Sequence, residues 1–214
     1  KKGIHTIGIG MAMILAAIIV AAGLRLLPRG TESSETPEAL SVLIADFENQ
    51  TGDEVFTGVL DRATAIVIED ASFVTPFKRA AALKAAESIQ PGATALDEEL
   101  ARLVAQREGV NVVITGSVEK SGNDYVIWMT AIDPVSGDIV SQQQLETDNR
   151  EEVLSAVGRM AGQTREKLGD TDPEAIRSAA EETFTATTIE AAHAYVQAQD
   201  LLTAGNWQGA IDSF

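Results

Sequence analysis

The chain opens on an uncharged apolar run, Ile7 to Leu24, long enough to cross a bilayer as a helix. Lys1 and Lys2 precede it and Arg25 and Arg29 follow it. A transmembrane anchor over residues 1–27 is the primary expectation. A cleaved signal peptide, with Val20 and Ala22 at small-residue positions, and a buried soluble helix are the alternatives. Gly8 and Gly10 follow no strand and lack a third glycine, so they do not form a dinucleotide loop. Residues 28–39 (PRGTESSETPEA) hold nothing that could build a core and form a solvated linker.

From Ser41 the pattern becomes that of an α/β domain. Ser41–Phe47 is a short apolar strand ended by the turn formers Asn49, Thr51, Gly52 and Asp53. Val55, Val59, Ala63, Ile66 and Val67 recur at helical spacing. A short strand at Phe73–Thr75 stops at Pro76, and two helices follow, Lys78–Ser88 and Leu96–Arg107, closed by Pro91-Gly92 and Gly109. The period then changes. Strands are predicted at Val112–Val118, Tyr125–Ile132 and Ile139–Leu145, linked as hairpins. The middle one is apolar on both faces, which makes Trp128 a core residue. The last carries Gln142, Gln143 and Gln144 and belongs at an edge. A helix from Arg150 to Leu168 closes the domain, with Asp148 and Glu151 as its capping box. Helices among early strands and then a meander imply a mixed sheet with packed helices, over residues 40–169.

These segments carry a resemblance. SVLIADFENQTGD before a helix, and later GVNVVITGSVEKSGNDYVIWMTAIDPVSGDIV, resemble the amino-terminal domain of TolB-like proteins. In that pattern a strand ends in a Phe-Glu-Asn turn with Gly-Asp, and a Gly-Ser-Val strand follows. A Pro commonly precedes the Phe, and Asp46 stands in its place here. The resemblance implies the mixed-sheet fold and a role in binding rather than catalysis, with Glu48, Asn49, Gly52 and Asp53 as a candidate loop site.

After a linker at residues 170–187, residues 188–214 show two helical stripes broken at Ala204-Gly205-Asn206. Ala198, Gly205, Trp207, Ala210 and Phe214 resemble the packing positions of a tetratricopeptide unit, whose single repeats cannot bury their own apolar face. A lone hairpin docked on the α/β domain is the alternative. Anchor, TolB-like domain and repeat start together resemble the non-catalytic half of bacterial receptor-type serine/threonine kinases, adenylate cyclases or transcriptional regulators. In those proteins the catalytic or DNA-binding part precedes the anchor.

Charge narrows the function classes. The 214 residues carry 16 basic and 32 acidic side chains, net −16. The basic residues Lys1, Lys2, Arg25 and Arg29 lie in the first thirty, leaving 12 against 32 in the rest, a net of −20. Such a surface repels phosphate backbones, which excludes a nucleic-acid partner. The absence of cysteine excludes disulfides, thiolate metal sites and cysteine nucleophiles.

Catalytic candidates are few. His5 and His193 have no evident partners. Glu48 and Asp53 flank a turn that explains them, and Asp133, Ser136 and Asp138 read as a hairpin turn rather than a cation loop. No phosphate loop, nucleophile elbow, zinc motif or kinase signature occurs. The expectation is therefore a non-catalytic segment with no cofactor and no metal. Its partners would be a protein or peptide and, through residues 4–27, the lipid bilayer. Its place would be a single-pass inner membrane protein with the α/β domain outside the cytoplasm. The primary reading is a membrane-tethered sensor or protein-interaction region of a larger signalling protein; the alternatives are the regulatory part of a kinase or cyclase and an envelope-assembly scaffold.

Overall fold

The computed structural model describes residues 39–182, 188–203 and 205–213. Its elements run β1 (Leu40–Ile44), β2 (Glu48–Gln50), a 3-10 turn (Glu54–Phe56), α1 (Val59–Glu69), β3 (Val74–Pro76), α2 (Arg79–Ile89) and α3 (Glu98–Glu108). The meander β4 (Val112–Ser121), β5 (Asp124–Ile132) and β6 (Ile139–Thr147) follows, then α4 (Glu152–Lys167), α5 (Pro173–Glu182), α6 (Ile189–Thr203) and α7 (Trp207–Ser213).

One sheet holds all six strands, in the order β3-β1-β4-β5-β6, with β2 paired to β4 beyond the end of β1. β1 runs parallel to β3 and β4, and β4, β5 and β6 are antiparallel. Parallel neighbours need crossovers, and α1 and the α2–α3 pair supply them. β6 lies at the edge, as its glutamines suggest.

Alternation along β1 and β4 sends neighbouring residues to opposite faces. Val42, Ile114, Ile127 and Met129 join the main core with Leu60, Val67 and Ile68 of α1 and Val153, Val157 and Met160 of α4. Leu43, Ala45 and Val113 face the other way, into a smaller core with Ala82 and Ala86 of α2 and Leu100 and Val104 of α3. Helices thus cover both faces of β1, but the second pair reaches little beyond β4.

Several local expectations shift. The helix foreseen from Val55 is two pieces, because Gly58 at φ +72° breaks it, and Val196 Cγ1 would lie 3.2 Å from a Cβ there. The box at the start of α4 is one residue later than Asp148–Glu151. Asn149 Oδ1 accepts the Glu152 N–H at 2.9 Å, and Asn149 Nδ2 donates to Glu152 Oε1 at 2.9 Å. Trp128 is not core: it is 37% exposed.

Two larger expectations are corrected. Among the described residues no helix is long and apolar enough to cross a membrane. The transmembrane helix in the fold class, the bilayer contact through residues 4–27 and the single-pass inner-membrane placement thus find no support among the described residues. The apolar run Ile7–Leu24 itself lies outside the described residues. The tetratricopeptide expectation fails on packing. Ile189 and Val196 of α6 belong to the main core of the α/β domain, so this helix packs on that domain. Ala198 and Ala210 are buried and Gly205 turns the chain at φ +76°, yet Trp207 is 68% exposed rather than wedged between helices. Phe214 lies outside the described residues.

Candidate functional site

The loop that sequence singled out is a knot of internal hydrogen bonds. Asn49 Nδ2 donates to the Asp53 carbonyl at 2.8 Å and to Thr57 Oγ1 at 3.0 Å. Its Oδ1 accepts from the Thr51 N–H at 3.1 Å and the Thr51 hydroxyl at 2.7 Å. Asp53 Oδ1 caps the 3-10 turn through the Val55 N–H at 3.1 Å, as a short acid at an N-terminus does. Arg150 then ties the loop outward, 3.4 Å from Asp53 Oδ2 and 2.6 Å from Glu190 Oε1. Gly52 turns at φ +77°, and Glu48 is exposed on β2. The arrangement holds β2, α4 and α6 together and spends the loop's polar groups doing so.

Just before this loop, Phe47 lies flat against β4. A Cβ on Gly116 would sit 2.4 Å from Phe47 Cε2, so only glycine leaves room for the ring. The two halves of the TolB-like pattern, Phe-Glu-Asn and Gly-Ser-Val, therefore meet in space. Asp46 has its own function. Its N–H donates to the Leu96 carbonyl at 2.8 Å, a bond that proline could not make. Its carboxylate accepts the Leu96 N–H at 2.8 Å and a two-pronged contact from Arg79, Nη2 lying 3.1 Å from Oδ2. This clamps the start of α2 to the end of β1.

Other candidates are structural or solitary. Asp133 Oδ1 accepts the Val135 and Ser136 N–H groups at 2.8 and 3.1 Å, and these bonds hold its carboxyl below the usual range. Asp138 and Ser136 complete the same turn, the Ser136 hydroxyl accepting the Asp138 N–H at 3.1 Å. His193 sits on α6 near Gln197 alone, 3.3 Å away, and His5 lies outside the described residues. Among the described residues no group of three His, Cys, Asp or Glu side chains could hold a metal. Sequence missed the buried Arg165, whose guanidinium binds Asp170, Asp70 Oδ2 at 3.0 Å and the Val67 carbonyl at 3.2 Å. Burial works against ionising Asp170. The Asp172 N–H and Arg165 outweigh it and hold the carboxyl below its ordinary value.

What remains is a surface. On the α3 side of the sheet, register brings Trp128 between Ser117 of β4 and Gln144 of β6, with Thr130 between Thr115 and Gln142. Val126 lies next along, between Glu119 and Glu146. Ser117 and Thr130 are half-buried, while Glu119, Gln142, Gln144 and Glu146 are exposed. Val126 and Thr115 are buried, Thr115 meeting Glu98 of α3 at 3.4 Å, so the exposed part of this face is centred on Trp128 and the glutamines of β6. The result is a flat polar sheet with one indole at its centre and two carboxylates at one end, an arrangement suited to contact rather than to chemistry.

No family model matches the sequence, and no curated protein does. Solved structures do show similarity. The LpoB C-terminal domain from Salmonella enterica is 13% identical over 54% of this chain and 87% of its own, with a TM-score of 0.45. TolB from Acinetobacter baumannii is 13% identical over 61% of this chain and 28% of its own, with a TM-score of 0.43. Lipoprotein GNA1162 from Neisseria meningitidis is 16% identical over 61% and 97%, with a TM-score of 0.43. The α/β domain is thus similar to TolB and LpoB domains. These likenesses and the place of α6 in the α/β core lend no support to the tetratricopeptide, serine/threonine kinase and adenylate cyclase context. At these scores the likenesses leave function to the chain's own geometry.

Proposed function

We propose that this chain is a non-catalytic protein-interaction domain of the envelope-assembly scaffold type, and that the open face of β4, β5 and β6 is its contact surface. The observation that supports this most is Trp128. A tryptophan in the second strand from the edge, in a run as apolar as YVIWMTAI, would ordinarily be buried, and here it is 37% exposed. Exposed indoles surrounded by polar side chains are frequent anchors of protein interfaces, because they offer a large rigid apolar area at small entropic cost. Glu119 and Glu146 beside it, on a chain of net charge −16, favour a partner with a basic rim.

Photo-crosslinking in the host organism tests this. A photoreactive residue at Gln142 or Gln144 should yield a discrete adduct with one protein. The same probe at Arg177, exposed on α5 on the opposite side of the sheet, should not. Adducts from Arg177 with none from positions 142 and 144 would move the interface elsewhere. A basic peptide chemistry at the crosslinked partner surface is expected from the charge on this face.

A further inference from the structure

On the opposite side of the sheet lies a cavity of about 370 Å³, bounded by α1, the ends of β1 and β3, the start of α2 and the last turn of α6. Part of its wall is apolar, with Val42, Ile44, Ile68, Val74 and Leu83 there, and six charged side chains share the lining. One of its three carboxylates is deeply buried. Asp61 of α1 is only 5% exposed, and its Oδ1 has no hydrogen-bond partner. A buried polar atom without a partner is costly and calls for an explanation.

Two of the three neighbouring cations are engaged elsewhere. Arg79 is held by Asp46, and Arg62 reaches Asp200 of α6, Nη2 to Oδ1 3.5 Å. Lys78 and Glu69 also line the cavity, and Lys78 forms no ion pair with Asp61. The charged side chains lining the space are Asp61, Glu69 and Asp200 against Arg62, Lys78 and Arg79, three of each sign, and Asp61 is the one with a buried carboxylate oxygen that has no partner. Burial pushes the Asp61 carboxyl up to about 6, with Arg62 opposing and Asp200 adding to the shift. Among the described residues no group of three His, Cys, Asp or Glu side chains here could hold a metal ion, and the Asp61 carboxylate repels phosphate and carboxylate ligands. A donor on a hydrocarbon stem meets both features, the acid and the apolar wall.

We propose that this cavity binds an alkylammonium group, with its charge on Asp61 Oδ1 and its methylenes against Val42, Ile68 and Val74. The stem of a lysine side chain and a free alkylamine share that chemistry. The site stands apart from the Trp128 face and holds whether or not that face is an interface.

An ¹⁵N NMR titration of the full chain at pH 7.5 tests it, with n-butylammonium and N-acetyl-lysine methylamide as probes and n-butanol as the uncharged control. The ammonium probes should give saturable shifts at the amides of α1 and β3. Asp61→Asn should weaken both by about tenfold or more, as expected for loss of a charge-assisted bond, while n-butanol responds equally in the two proteins. Unchanged Phe47 and Gly116 amides in Asp61→Asn verify that the variant is folded. Tighter binding of the capped lysine would identify a peptide side chain as the source, and tighter binding of butylammonium a free amine. Absence of saturable shifts, shifts confined to other regions, or equal affinities in wild type and Asp61→Asn would overturn the proposal.

Discussion

The two faces of the same three strands differ in what lies on them. Along β5, Tyr125, Ile127, Met129 and Ala131 point into the main core against α1 and α4, while Trp128 and Thr130 point to the other side, where Trp128 is exposed and Thr130 half-buried. One strand therefore serves two purposes, separated by its period of two. The packed face carries the stability of the domain. The open face is free to carry recognition, because side chains there can change without creating cavities.

Substitutions on the two faces should separate these roles. Ile127→Ala, at a fully buried position of β5, should cost about 4 kcal/mol in urea denaturation, within the range for large-to-small changes in a core. A loss below about 1 kcal/mol would show that this face is not the packed one.

The packed face also holds one destabilising group. Asp61 is protonated to higher pH in the folded state, at about 6, than its ordinary value of 3.8. The folded state thus binds more protons between these values, and stability is lost as pH rises from about 4 through 6. Two pKa units correspond to about 3 kcal/mol, so Asp61→Asn should raise stability at pH 7.5 by up to about that much. It should change little at pH 3.5. Parallel pH profiles for wild type and Asp61→Asn would contradict the burial of this carboxyl.

Gly116→Ala should cost about 2 kcal/mol, because its Cβ would meet the Phe47 ring, whose atoms are fixed by the surrounding core. Combining it with Phe47→Leu should recover part of the loss, and additive losses in this double-mutant cycle would contradict the contact.

Much of this fold is legible in the chain. The meander, the edge position of β6 and the helices around Pro91-Gly92 and Gly109 follow from periodicity and turn residues, which act locally. The extent to which helices cover a sheet does not, since it depends on where crossovers land. YVIWMTAI is equally apolar whether one face is covered or open, and that is why Trp128 reads as core. The stripe of α6 was ambiguous for a related reason. Ala191, Ala194, Tyr195 and Ala198 suit packing on a neighbouring repeat or on an α/β domain, and only Ile189 and Val196 in the main core decide. Asp46 and Asp61 were not legible as sites. Asp46 meets Arg79 and Leu96 across 33 and 50 residues. Asp61 is one more acid in an acidic chain until its burial is known.

The smallest expected effect on stability is also the largest expected on function. Trp128→Ala should cost less than about 1 kcal/mol, since its indole is part-exposed and leaves no enclosed cavity. The central claim is that recognition resides on the open face, and calorimetric titration of the protein crosslinked at Gln142 or Gln144 measures it most directly. Trp128→Ala should bind that partner at least about tenfold more weakly than wild type, the loss expected of an interface anchor. Equal affinity for wild type and Trp128→Ala would contradict the account.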